Sequence, residues 1–120
     1  MTMSLQLDQL RTTYFEECAE LLDSAYAQLN ALNEASGDSD TIHALFRAIH
    51  SIKGGGGVFG FARVVALAHA METLLDLMRD GTIATDSVRV LLILRGADVL
   101  ADLLAAERTG GNVPGGVEEG

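Results

Sequence analysis

The chain has 120 residues, 48% of them hydrophobic, but only six aromatic side chains and one proline. That composition argues against a sheet protein, whose strands would show β-branched and aromatic runs between turns, and favours helices packed on helices. Eight basic and 17 acidic residues give a net charge of −9, which argues against a nucleic-acid partner because phosphate backbones need a basic footprint.

Leu7, Leu10, Tyr14, Phe15, Cys18, Leu21, Leu22, Ala25, Leu29 and Leu32 recur every three or four residues. They predict a long amphipathic first helix over roughly 8–33, with its acidic face solvated. Cys18, the single cysteine, reads as a small buried hydrophobe; no internal disulfide is possible, and a reducing compartment is expected. The segment NEASGDSD follows as a turn-rich connector.

A second helix starts near Ser39 or Asp40, either of which can cap it, and carries Ile42, Leu45, Ile49 and Ile52 on its apolar side. It runs into four glycines and stops near Val58, with Gly60 permitting a turn. A third helix spans about 61–80, with Val64, Leu67, Ala68, Met71, Leu74, Leu75 and Met78 inward and Gly81 suited to its end. A fourth begins near Thr85 or Asp86 and reaches about Ala106, with Val88, Leu91, Leu92, Val99, Leu100, Leu103 and Leu104 expected inward. Short connectors favour antiparallel neighbours, so the fold class is all-α, an antiparallel up-down-up-down four-helix bundle over 1–107. Residues 108–120, rich in glycine, read as a flexible linker or tail that can lead to further domains. No signal peptide and no apolar run of membrane-spanning length is seen, so the expectation is a cytoplasmic chain without membrane insertion.

Charge is unevenly placed. Between Thr41 and Met71 there is no acidic residue, whereas Arg47, Lys53 and Arg63 are basic. An acidic chain has kept one region able to tolerate an anion. At 100° per residue, His43, Arg47, His50, Gly54 and Gly57 fall on one narrow stripe of the second helix, off its apolar side. Each glycine inside a helix costs about 1 kcal/mol against alanine, so the tract needs an offsetting reason. Gly54 and Gly57, one and two turns beyond His50 on its own face, leave a flat approach to the imidazole. Gly55 and Gly56 let a neighbouring helix come close. On the third helix, His69 and Glu72 share a face that can reach the second helix. A carboxylate accepting the Nδ1–H of His50 fixes the tautomer with Nε2 bare and makes the ring more basic. Lys53, one turn from His50, can offset the charge of a phosphoryl group arriving there.

HSIKGGGGVFGF followed by HAMETLLD resembles the histidine-phosphotransfer (HPt) domain of the CheA-type chemotaxis histidine kinase family, and the likeness runs from about Leu7 to Ala106. The resemblance implies that His50 is phosphorylated by a separate histidine kinase domain that holds ATP and Mg. It implies that His50 then passes the group to an aspartate of response-regulator receiver domains. It matches Glu72 to the carboxylate that bonds the imidazole, and Lys53 and His69 to the polar residues around it. His43 and Arg47 are candidates for the docking rim beside Gly54 and Gly57. The chain itself is expected to bind no cofactor and to turn over nothing alone, being a segment of a kinase.

Two other readings compete. A metal-binding bundle would use His50, His69 and Glu72, but di-iron bundles need Glu-x-x-His on paired helices with further carboxylates, and here the order is reversed and occurs once. No metal site is expected. An adaptor bundle without chemistry leaves the glycine cost unexplained. Gly55, Gly57 and Gly60 fit G-x-G-x-x-G only by accident, because a helix rather than a strand precedes them.

Overall fold

The computed structural model describes residues 2–35 and 39–110. It contains four helices: α1 (Thr2–Ala35), α2 (Ser39–Phe59), α3 (Ala62–Arg79) and α4 (Ser87–Arg108). Each helix packs on its two neighbours round a ring, α1 on α2 and α4, and α3 on α2 and α4. Direction follows from the cross-helix bonds. Arg11 near the start of α1 donates to the Glu107 carbonyl at the end of α4, and Tyr26 further along bonds Asp98. His50 and Lys53 meet Glu72, whereas His43 meets Arg79. Both pairs are therefore antiparallel, and the expected up-down-up-down bundle is what forms. The putty of the core is aliphatic: Leu32, Ile42, Leu45, Ile49, Ile52, Val64, Leu75, Ile93 and Leu100 are all but fully buried.

The helix ends follow capping chemistry. Asp86 accepts from the Arg89 backbone N–H at 2.9 Å and starts α4. Gly60 takes φ +75°, and two bonds close the end of α2: Phe61 N–H to Gly56 C=O at 2.8 Å and Gly60 N–H to Gly57 C=O at 3.3 Å. This is a Schellman ending, and Phe61 just beyond it is buried against Phe15 and Phe59. The glycine tract is thus helical to its last residue. At the start of α2, Ser39 and Asp40 lie inside the first turn rather than before it. Residues 36–38 of the expected connector, and residues 111–120 of the expected tail, lie outside the described residues.

Two expectations about packing fail. Leu7 and Leu10 are exposed, because α1 is 34 residues long and only from Arg11 onward does it lie beside α4. Val88, Leu91, Leu92 and Val99 of α4 are exposed as well, while Val90, Ile93, Ala97, Leu100 and Leu104 face the core. The sequence VLLIL at 90–94 is apolar all round, so periodicity alone picks no face there. Packing picks it: a Cβ on Gly96 would stand 3.1 Å from the Met71 sulfur, so α4 turns its smallest residues toward α3.

Candidate phosphoryl-accepting site

The α2–α3 seam holds a carboxylate between two donors. Glu72 is buried in α3, with its side chain 8% exposed. His50 Nδ1 lies 2.5 Å from its Oε2, and Lys53 Nζ donates to its Oε1 at 2.6 Å. Burial pushes the Glu72 carboxyl up, but the hydrogen bonds and charges of Lys53 and His50 outweigh it, and the group lies below the usual glutamate range. Glu72 is therefore a carboxylate at neutral pH. An ionised carboxylate only accepts, so Nδ1 of His50 carries the proton, and in the neutral ring Nε2 presents its lone pair. The imidazole itself stands out in solvent, 63% exposed. The ring is held from behind and open in front.

His43, two turns earlier on the same stripe, takes the opposite tautomer. Its Nδ1 lies 2.9 Å from Nη1 of Arg79, and a guanidinium only donates. Nδ1 of His43 is thus the acceptor, and its Nε2 bears the proton while the ring is neutral. Two histidines share a face, and only His50 offers a bare Nε2.

The glycines divide as their helical positions require. A Cβ on Gly54 or Gly57 would meet nothing within 4 Å. A Cβ on Gly55 would sit 2.2 Å and 2.4 Å from two carbons of the Tyr14 ring. One on Gly56 would sit 3.1 Å from Val64 of α3. Tyr14 also donates from its hydroxyl to the Ile52 carbonyl at 2.7 Å, fixing α1 on the turn that follows His50. Inward glycines let α1 and α3 close on α2, and outward glycines leave the surface beside His50 flat. Arg47 lies exposed on that surface, as does Val58, 79% exposed, an apolar contributor that the sequence reading passed over.

Two site residues sit differently from their expected parts. Lys53 spends its ammonium on Glu72, so it neutralises the carboxylate rather than standing free for an incoming anion. His69 Nδ1 is 3.8 Å from Glu72 Oε1, too far for a hydrogen bond, and its ring lies at the rim. Phe46, which packs partly against the core, also stacks on His50 with ring centroids 6.1 Å apart and planes 8° from parallel. Its place one turn before His50 is readable in the sequence, but a phenylalanine at that spacing is ordinarily core. Among the described residues no group of three or more His, Cys, Asp and Glu side chains is placed to hold a metal ion, and no helix is long and apolar enough to cross a membrane.

Residues 9–110 match the Hpt domain family. The chain belongs to that family. This Hpt domain is 41% identical over 109 residues to the chemotaxis protein CheA of Rhizobium meliloti, covering 91% of this chain but 14% of the relative. It thus spans about one-seventh of the length of that curated relative. Among solved structures it is similar to the phosphorylated P1 domain of CheA3 in complex with CheY6 from R. sphaeroides. There the TM-score is 0.79 and the identity 31%, over 90% of this chain and 85% of that one. It also resembles the CheA phosphotransferase domain from Thermotoga maritima, with a TM-score of 0.78 and 27% identity over 83% and 95%.

Proposed function

We propose that this Hpt domain carries a phosphoryl group on Nε2 of His50 between a histidine kinase and response regulators. The γ-phosphoryl comes from ATP held with Mg by a separate catalytic domain; this chain binds neither. The Nε2 lone pair forms the N–P bond as the bond to the ADP oxygen breaks, and the ring gains positive charge. Glu72 stabilises that charge through Nδ1–H, and Lys53 keeps the carboxylate from repelling the incoming phosphate. Positioning and electrostatics of this kind are most of what phosphoryl transfer asks of a protein. In the second step the N–P bond breaks as a receiver-domain aspartate takes the phosphoryl, and the ring returns to neutral. The regulator docks over Gly54 and Gly57, with His43 and Arg47 at the rim and His69 beside the ring. The capture of a phosphorylated P1 domain with CheY6 supports this order of partners. We read the chain as a segment of a kinase rather than as an enzyme by itself, acting in the cytoplasm.

One observation carries the proposal: an exposed imidazole whose Nδ1 is bound to a buried, ionised Glu72 and whose Nε2 is free. Incubation with a cognate kinase and γ-labelled ATP should place acid-labile, base-stable label on the domain. His50→Gln should abolish it, and a labelled His50→Gln protein ends the assignment.

A further inference from the structure

The α2–α3 seam is built in two layers seven residues apart, about two helical turns. In the first, His50 and Lys53 of α2 meet Glu72 of α3. In the second, His43 and Phe46 of α2 meet Arg79 of α3, whose guanidinium lies 4.5 Å over the Phe46 ring and donates to His43. Arg79 is itself tied by its other amino group to Asp76. Residues 43 and 46 repeat as 50 and 53, and 72 repeats as 79, so one helix register generates both layers. A carboxylate occupies the centre of the first, and a guanidinium the centre of the second.

We propose that Phe46, braced by Arg79, is the positioning residue that sets the plane of the His50 imidazole for phosphoryl transfer. The Nδ1 hydrogen bond and the Cβ–Cγ bond hold the ring at two adjacent atoms, so small coupled changes in its two side-chain torsions still move Nε2, which is bonded to neither. A parallel neighbouring ring narrows that freedom, since a stacked pair favours one ring plane over tilted ones. Phe46 is partly buried against the core, and the Arg79 cation covers its ring, so Phe46 is itself held in place. In-line attack is sensitive to such tilts, because displacement of a reacting atom by about 1 Å can cost on the order of 10²-fold in rate. The inference rests on His50 being the acceptor, and adds what holds its plane.

The test compares Phe46→Leu, Phe46→Tyr and Arg79→Met in the whole chain, with the cognate kinase and labelled ATP. Phe46→Leu should lower kcat for phosphorylation about ten-fold with KM little changed, as lost alignment rather than lost docking requires. Phe46→Tyr, which restores a flat ring, should recover the rate. Arg79→Met, on the surface and foldable if Phe46→Leu is not, should show a smaller loss of the same kind. Nitrogen-15 spectra of the His50 ring, needing no kinase, should show one ordered Nδ1–H tautomer in the parent and exchange broadening in Phe46→Leu. Wild-type kcat in Phe46→Leu, or a Phe46→Tyr that does not recover, overturns the proposal and leaves the carrier function standing. So does an unaltered His50 spectrum in Phe46→Leu. An unlabelled parent chain would instead sink the carrier function, and the ring spectra would still decide the positioning role.

Discussion

The α2–α3 and α1–α4 seams lie on opposite sides of the bundle, and each is crossed by a bond to a carboxylate. On the first, Glu72 is buried between His50 and Lys53 and titrates below its usual range. On the second, Asp98 accepts from the Tyr26 hydroxyl with Asp23 and Asp102 close by, and among the described residues no ion pair joins a cation to them. There burial first, then the Asp98 bond and the surrounding negative charge, push the Tyr26 phenol up to about 12. The same functional group does different work on the two sides. A desolvated carboxylate matched by a cation can orient and polarise a ring, whereas carboxylates gathered without one only hold a neutral phenol in place. The Cys18 thiol on this second side is likewise raised by burial, an inert apolar filler.

The widest contrast should come from removing each carboxylate's partner function. Glu72→Gln keeps the shape but removes the charge, and should slow phosphorylation on the order of 10–10²-fold in a single-turnover assay. The same variant sharpens the comparison through pH. The depressed carboxyl stabilises the fold above the ordinary glutamate value near 4.5, and that contribution is lost as pH falls through its lowered folded value. Acid denaturation should therefore be shallower across that window in Glu72→Gln than in the parent, and identical profiles would deny the pairing its part in stability.

Next in size is the glycine pair. Gly55→Ala should cost about 2 kcal/mol by overpacking against Tyr14, more than the gain of about 1 kcal/mol in helix propensity. Gly54→Ala, with open space around its Cβ, should instead stabilise the domain by about 1 kcal/mol in denaturant melts. Should both variants gain stability, the close approach of α1 to α2 is not as described. Smallest is Tyr26→Phe, expected to change stability by no more than about 1 kcal/mol and to leave phosphotransfer untouched. A large loss of transfer there would mean that the two seams are not functionally separate.

How far the sequence reaches can be judged from particular residues. Spacing of 100° per residue alone puts His50, Gly54 and Gly57 on an open face, because a helix with one clear apolar side fixes where every other residue points. Side-chain-free Gly55 and Gly56 mark points of close approach from sequence alone, although Tyr14 as the visitor at Gly55 requires the bundle. On α4 the same arithmetic gave Val88, Leu91, Leu92 and Val99 to the core and was wrong, since a segment apolar all round has no inside until a neighbour supplies one. Leu7 and Leu10 failed for a related reason: they continue the inward stripe of α1 past the place where α4 ends beside it.

Local spacing along a single helix, then, determined the four-helix class, the ends capped by Asp86, Gly60 and Gly81, and the histidine with its glycine stripe, because these depend on contacts within about two turns. Only the tertiary structure decided that Lys53 serves Glu72, that His43 and His50 hold opposite tautomers, and that Arg79 covers Phe46 beside the His50 ring. Those outcomes depend on the register of α3 against α2, and one chain's periodicity carries no information about the offset between two helices.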